Sequence, residues 1–102
     1  MINLAPKYLA LVKTILQQHI PNKTVWLFGS RATKHCKPYS DIDLAIITNT
    51  PIDIDIITRL SLAFSNSDLP YKVDLVDWPS IDDDFKKIIK EKYAVVQRGY
   101  TV

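Results

Sequence analysis

The first third of the chain has a pattern of hydrophobic and polar residues that predicts a helix, a strand and a short helical turn. Apolar residues spaced along one helical face follow Pro6 and predict a helix over residues 6–19. A β-branched and aromatic run over residues 24–28 predicts a buried strand that ends at Gly29. Ser30 is a favoured N-cap residue, so a short helical turn is predicted to begin there.

The middle of the chain predicts a second strand, a helix and a third strand. Residues 41–47 alternate at first and then become continuously apolar, which indicates a strand buried more deeply toward its C-terminal end. Residues 51–67 are mixed, because their isoleucines alternate as in a strand while other apolar residues follow helical spacing. We predict a helix there that begins near Ile52. Residues 73–76 predict the third strand.

The last part of the chain predicts a helix and an apolar tail. Ser80 and Asp83 have the spacing of a capping box, which predicts that a helix begins there. Aspartates near its start and lysines toward its end suit the helix dipole. The predicted buried stripe consists of Ile81, Phe85, Ile88 and Ile89. Residues 93–102 are expected to add an edge strand or to dock on a partner.

The order of these elements predicts an α/β (α+β) fold, a small mixed β-sheet flanked by helices. No repeat, low-complexity tract or linker interrupts the 102 residues. This length is typical of one domain, so residues 1–102 are predicted to form a single domain. We expect the first two strands to be antiparallel neighbours and the third strand to lie beside the second.

Charge and cysteine content exclude several classes of protein. The 13 basic and 11 acidic side chains leave a net charge of +2, too small for a protein held to nucleic acid mainly by non-specific phosphate contacts. One cysteine, Cys36, can form neither an internal disulfide nor a thiolate metal cage, which fits a reducing cytoplasm. The apolar stretch at residues 8–12 is too short for a signal peptide or a membrane span. We therefore expect a cytoplasmic protein with no membrane partner.

Gly29 and Ser30 lie where a buried strand meets a helical turn. A glycine lets the backbone approach a ligand closely, the serine offers a hydroxyl, and the amides that follow can point toward phosphate oxygens. A plain strand-to-helix turn with a serine cap is the alternative, and for an isolated Gly-Ser pair it is the more common one.

Asp41 and Asp43 are two residues apart on the predicted second strand, so both carboxylates project from the same face. Like charges this close repel unless a cation lies between them. Hard cations such as Mg²⁺ bind through one or two carboxylates and complete their shell with water and phosphates. The pair therefore indicates a metal site, with two solvent-facing acids at the start of a strand as the alternative.

The third strand offers a further carboxylate, either Asp74 or Asp77. Asp74 lies inside the strand, where a lone charge is costly to bury unless it is paired or bound to metal. Asp77 is expected at the strand end, where water can solvate it. We therefore prefer Asp74 as the third carboxylate, which would bind metal or accept a proton.

Together these residues resemble a known family signature. The segment FGSRATKHCKPYSDIDLAI, followed by VDLVD, resembles the signature of the nucleotidyltransferase superfamily that includes DNA polymerase beta. More narrowly, it is similar to the minimal nucleotidyltransferases, the short MNT-type antitoxins encoded beside HEPN-domain toxins. The resemblance covers nearly the whole chain and implies a polymerase beta-like palm fold. It departs from the pattern at Lys34, where many relatives have glycine.

The resemblance implies a role for each matching residue. Gly29 and Ser30 match the pair that holds the β- and γ-phosphates of a nucleoside triphosphate. Arg31 follows them directly and is expected to bind the nucleotide phosphates as well. In the family, two Mg²⁺ ions bridge the triphosphate and three acidic residues. The residues that match those metal-binding and catalytic acids are Asp41, Asp43 and Asp74.

The function implied by the resemblance is transfer of AMP from ATP to a hydroxyl of a partner protein. The partner would be a HEPN-domain ribonuclease toxin, modified on a tyrosine so that its nuclease is silenced, and a hetero-oligomer is expected. We expect a chain of 102 residues to lack room for domains that hold a primer and template. A non-catalytic antitoxin that masks the toxin, to which the Lys34 change lends support, and a transferase acting on a small-molecule hydroxyl are the alternatives.

Overall fold

The computed structural model describes residues 1–99, which contain three helices, four strands and two 3₁₀ turns. The helices are α1 (Pro6–His19), α2 (Ile54–Ser65) and α3 (Asp83–Glu91). The strands are β1 (Thr24–Phe28), β2 (Ile42–Ile47), β3 (Val73–Asp77) and β4 (Ala94–Gln97). The 3₁₀ turns are Gly29–Ala32, called the Gly-Ser turn below, and Trp78–Ser80. Within residues 1–99, no helix is long and apolar enough to cross a membrane.

The strands form one mixed sheet in the order β3-β2-β1-β4. Strand β1 pairs antiparallel with both β2 and β4, whereas β2 and β3 run parallel and are connected through α2. The antiparallel pairing of the first two strands and the position of the third beside the second are thereby confirmed. Because of these directions, the end of β1 and the starts of β2 and β3 meet at one end of the sheet.

The two faces of the sheet pack against different helices. The face toward α1 and α2 presents buried side chains that include Leu27, Leu44 and Ile46. On the opposite face, Ile89 of α3 packs with Phe28 and Ala45. Side chains alternate along a strand, so Asp43, two residues before Ala45, projects from the α3 face. The candidate acids therefore share the face that carries one short helix.

The start of α3 differs from the sequence prediction because a different residue caps it. The carboxylate of Asp82 accepts a hydrogen bond from the backbone N–H of Phe85 at 2.8 Å. The predicted capping box at Ser80 is wrong, since Ser80 ends the second 3₁₀ turn. The predicted stripe is also wrong at Ile88, which is 63% exposed, while the adjacent Ile89 is buried.

The remaining boundaries depart little from the predictions. The first helix and first strand have the predicted bounds. Helix α2 begins at Ile54 rather than near Ile52, because Asp53 caps it by accepting from the backbone N–H of Asp55 at 2.9 Å. The tail adds the expected edge strand as β4. The part of the predicted tail at 100–102 lies outside the described residues.

Candidate active site

One row of side chains crosses the sheet where β1 ends and β2 and β3 begin. In this row Phe28 pairs with Asp43, and Asp43 pairs with Asp74. Neighbouring strands lie about 4.8 Å apart, so the two carboxylates are direct neighbours on the α3 face. Asp41 precedes β2 by one residue and is exposed. The structure thus brings the three acids chosen from the sequence to one end of one face.

Gly29 forms the closest backbone approach to this row. Its φ angle is +73°, in the left-handed region that favours glycine. A Cβ atom at this position would collide with a carboxylate oxygen of Asp43 and would lie 3.3 Å from its Cγ. Only a residue without a side chain therefore allows the Gly-Ser turn to lie directly against the acid.

The surroundings of Asp43 raise its pKa. Burial raises the pKa of Asp43, and the negative charges of Asp74 and then Asp41 raise it further, from 3.8 to about 6. The protein therefore leaves the charge of this carboxylate poorly compensated. A cation bound between the acids would stabilise the charged form of Asp43 and so offset both its burial and its repulsion by Asp74 and Asp41.

Lys72 is a residue of the site that the sequence analysis missed. Its Nζ lies 3.5 Å from Oδ1 of Asp74, and both side chains reach solvent, at 73% and 44% exposure. The two residues are separated by one position along an extended segment, and this spacing places side chains on the same face. This spacing is the sequence signal that could have identified Lys72. It places the Lys72 ammonium beside the carboxylate of Asp74.

The donor set fits a hard divalent cation. Across residues 1–99, no three acidic, histidine or cysteine side chains already form a metal cage. Mg²⁺ does not need such a cage, because it binds through one or two carboxylates and takes its remaining ligands from water and substrate phosphates. The raised pKa of Asp43 indicates a carboxylate that would gain from such an ion. Asp41, Asp43 and Asp74 are the residues that could hold it.

Ser30 lies inside the Gly-Ser turn and does not cap it. The residue at the N-cap position is Phe28, which makes no side-chain capping bond, so the predicted serine cap is wrong. The backbone carbonyl of Ser30 accepts from the backbone N–H of Thr33 at 3.1 Å and from its hydroxyl at 2.7 Å. Ser30 thus stabilises the turn through its backbone.

Arg31, predicted from the sequence to bind the nucleotide phosphates, has a structural role in the described residues. Its side chain is 4% exposed and its guanidinium lies 4.0 Å over the ring of Tyr71. The guanidinium donates to the backbone carbonyls of Ser40 at 2.8 Å, Asn3 at 3.0 Å and Pro38 at 3.2 Å. Buried and bonded in this way, Arg31 holds the loop between the Gly-Ser turn and β2.

The two acids of β3 have environments opposite to those expected. Asp74 is half-exposed, whereas Asp77 has one carboxylate oxygen that is buried and without a hydrogen-bond partner in residues 1–99. The other oxygen of Asp77 accepts from the Ser80 hydroxyl at 2.9 Å. Asp77 pairs with Ile46, whose side chain lies in the core toward α1 and α2. The register with Asp43, rather than burial, favours Asp74 as the third acid.

Comparison with known proteins agrees with this geometry. The family model for polymerase beta nucleotidyltransferases matches residues 11–99. A relative from Haemophilus influenzae, described as a probable protein adenylyltransferase MntA, is 51% identical over 96 residues. The match covers 94% of this chain and 84% of the relative.

Solved structures share the fold at lower identity. A crystal structure of a toxin-antitoxin with AMP-PNP matches with a TM-score of 0.73 at 24% identity, over 88% of this chain and 73% of that one. A tri-AMPylated Shewanella oneidensis HEPN toxin in complex with an MNT antitoxin matches with a TM-score of 0.58 at 21% identity, over 88% and 72% of the two chains. The palm-like fold expected from the sequence is confirmed, and the chain belongs to the polymerase beta nucleotidyltransferase family.

Proposed function

We propose that this chain is a Mg²⁺-dependent protein adenylyltransferase that transfers AMP from ATP to a tyrosine hydroxyl of a HEPN-domain toxin and so neutralises it. The observation that carries the proposal is the placement of Asp43 beside Asp74 and directly against Gly29. A triphosphate needs a cation site and nearby backbone donors, and the proposal assigns these to the carboxylates of the row and to the Gly-Ser turn beside it. In this proposal residues 1–102 act as one minimal nucleotidyltransferase domain.

The relatives support the choice of nucleotide and partner. The Haemophilus influenzae relative is named a probable protein adenylyltransferase, and it covers nearly all of this chain. One structural neighbour is a toxin-antitoxin with AMP-PNP, and another contains a HEPN toxin that carries AMP groups. By extension, we propose that this chain uses ATP as its substrate, modifies an acceptor on a HEPN toxin and forms a hetero-oligomer with that toxin.

Each residue of the site has a defined task in the proposal. Asp41 and Asp43 hold the divalent ions together with Asp74. Mg²⁺ held by these acids would neutralise phosphate charge and stabilise the leaving group. The backbone of Gly29 admits the β- and γ-phosphates next to Asp43, and Ser30 donates its hydroxyl to them. The closeness of Gly29 to the Asp43 carboxylate supports this arrangement.

The transfer itself is an in-line displacement at the α-phosphorus of ATP. The acceptor oxygen forms a bond to that phosphorus while the bond to the oxygen bridging the α- and β-phosphates breaks. Pyrophosphate leaves with the electron pair of the broken bond. The acceptor proton passes to Asp74, whose half-exposed carboxylate can release it to water. Because β3 is an edge strand, Asp74 lies where a protein acceptor can approach.

The proposal is tested by intact-mass spectrometry of the partner. The product of the neighbouring open reading frame, which the proposal expects to be a HEPN-domain toxin, is incubated with the chain, Mg²⁺ and each of the four nucleoside triphosphates in turn. We expect AMP adducts on a partner tyrosine with ATP, and none with Asp41→Asn or Asp43→Asn. Asp55→Asn, an exposed acid on α2, is the matched control and should retain transfer.

Two outcomes would overturn the proposal. A stable complex without adducts from any nucleotide would indicate that the chain masks the toxin without chemistry. Adducts on an added small-molecule hydroxyl, with the partner unmodified, would indicate a different acceptor class.

A further inference from the structure

Strand β3 forms one edge of the sheet, and alternate residues along it direct their backbone groups away from the sheet. The backbone carbonyl of Lys72 accepts from the backbone N–H of Ile42 at 2.9 Å, so Lys72 and every second residue after it bond toward β2. The N–H and C=O groups of Val73 and Leu75 therefore point outward. In residues 1–99, no backbone group of a turn or loop bonds to them.

A cleft lies between α2 and the start of this edge. It has a volume of about 290 Å³, and its wall includes Ser61 and Ser65 of α2 and Val73 of β3. Phe64, which is buried, and Leu69 add apolar surface. The volume lies just below the range of typical small-molecule sites and suits a protein side chain.

The cleft is continuous with the candidate active site through Lys72. Lys72 lines the cleft, and its Nζ lies 3.5 Å from Oδ1 of Asp74. Side chains alternate along β3, so Asp74 projects from the α3 face, whereas Val73 packs against the core toward α1 and α2. The same edge thus presents the third acid on one face and a side-chain pocket on the other.

We propose that the open edge of β3 pairs with an extended segment of the acceptor protein, the segment that carries the modified tyrosine. This inference rests on the proposed function, because the acceptor hydroxyl must reach the acids. Pairing with an edge strand supplies main-chain hydrogen bonds, and pockets for alternate side chains supply specificity. A tyrosine opposite Asp74 would lie about 4.8 Å away across the pair and project from the α3 face. Its neighbour in the segment would project toward the cleft.

The charge of β3 favours another protein over a second copy of this chain. Its five residues include Asp74 and Asp77 and no cation. Two copies paired through this edge would bring carboxylates toward one another, and like charges across a strand pair are destabilising. Short edge strands with charged side chains also protect proteins against self-association. We therefore expect the segment to be neutral or basic around its tyrosine.

Amide hydrogen exchange measured by NMR tests the pairing directly and needs no nucleotide. The isotope-labelled full chain is measured alone and with the product of the neighbouring open reading frame. The amides of Val73 and Leu75 should exchange at least about tenfold more slowly in the complex, because each gains a hydrogen bond. The amide of Asn49, in the exposed loop after β2, is the control and should exchange at the same rate in both samples.

A bulky side chain placed in the cleft tests the pocket. Ser65→Trp should raise the KM for the protein acceptor at least about tenfold and leave the KM for ATP unchanged, because it fills the cleft without touching the acids. Thr58→Trp is the matched control, since it adds the same side chain at an exposed position of α2 outside the cleft. It should change neither KM.

Three results would overturn the assignment. The first is unchanged exchange of the Val73 and Leu75 amides in a complex that forms and transfers AMP. The second is slow exchange of these amides in the concentrated chain alone, which would identify a second copy as the occupant. The third is an equal rise in the acceptor KM in both tryptophan variants. Failure of the proposed function is distinguishable, since it appears as the absence of AMP adducts from the unmodified chain with every nucleotide.

Discussion

At the residue scale, Asp43 lowers the stability of the protein in the absence of metal. Its pKa is about 6 in the folded chain against 3.8 ordinarily, so the folded state binds this proton more tightly than the unfolded state does. The contribution of Asp43 to stability is therefore most favourable at pH values below its ordinary pKa of 3.8. It is lost as the pH rises toward and above 6. If the site binds a cation, as we propose, this loss of stability applies only while the cation is absent.

The first prediction follows because the charged form of Asp43 destabilises the folded state. Asparagine carries no charge at any pH, so Asp43→Asn should melt at a higher temperature than the unmodified chain near neutral pH in EDTA. The difference should shrink as the pH is lowered through about 6 toward 3.8, where Asp43 itself becomes neutral. Thermal unfolding of both proteins across this range measures it. A difference in melting temperature that does not change with pH would show that the charge of Asp43 does not destabilise the folded protein.

The second prediction concerns Gly29. Its positive φ costs about 1–2 kcal/mol for a residue with a side chain, and the added methyl would also displace the Asp43 carboxylate. Gly29→Ala should therefore lower the free energy of unfolding by about 2 kcal/mol or more and abolish AMP transfer. Urea unfolding measures the first effect. Ser30→Ala, in the same turn, is the control and should change stability by less than about 0.5 kcal/mol.

At the scale of elements, the loop between the Gly-Ser turn and β2 depends on Arg31. A lysine cannot reproduce a planar guanidinium that reaches three carbonyls and stacks on Tyr71. Arg31→Lys should therefore lower the free energy of unfolding by about 2 kcal/mol. Arg59→Lys, on the exposed surface of α2, should leave it unchanged. Unchanged stability with a raised KM for ATP would instead support the phosphate contact predicted from the sequence.

The aspartates at the start of α3 give the fourth prediction. Asp82 caps the helix by accepting from the backbone N–H of Phe85, whereas Asp84 lies within the first turn. Asp82→Ala should cost about 1 kcal/mol of unfolding free energy, and Asp84→Ala distinctly less. Chemical denaturation of the two variants compares them. Equal losses would show that charge near the helix end, rather than the cap, is responsible.

At the scale of the whole molecule, the parts predicted from the sequence are those governed by periodicity. Asp41 and Asp43 share a face because side chains alternate along a strand, and the short connection after Gly29 favours antiparallel pairing of β1 and β2. Predicting that Asp74 lies beside Asp43 required only the additional prediction that β3 lies next to β2.

Features that depend on contacts distant in sequence were not predictable in this way. Arg31 bonds to Asn3 and stacks on Tyr71, and neither contact leaves a local pattern. Ile88 and Ile89 are both apolar, but only one of two adjacent helical positions can face the sheet, and packing decides which. The burial of Asp77 likewise depends on how β3 packs onto the helices behind it.

The central claim is that neutralisation of the toxin requires chemistry at this site, and one measurement tests it most directly. The double variant Ser30→Ala/Asp43→Asn is expressed with the HEPN partner in cells at the level of the unmodified chain, and growth and co-purification are both measured. We predict that the two proteins still co-purify while neutralisation fails, because binding is intact and AMP transfer is lost. Full neutralisation by this variant at normal expression would contradict the account.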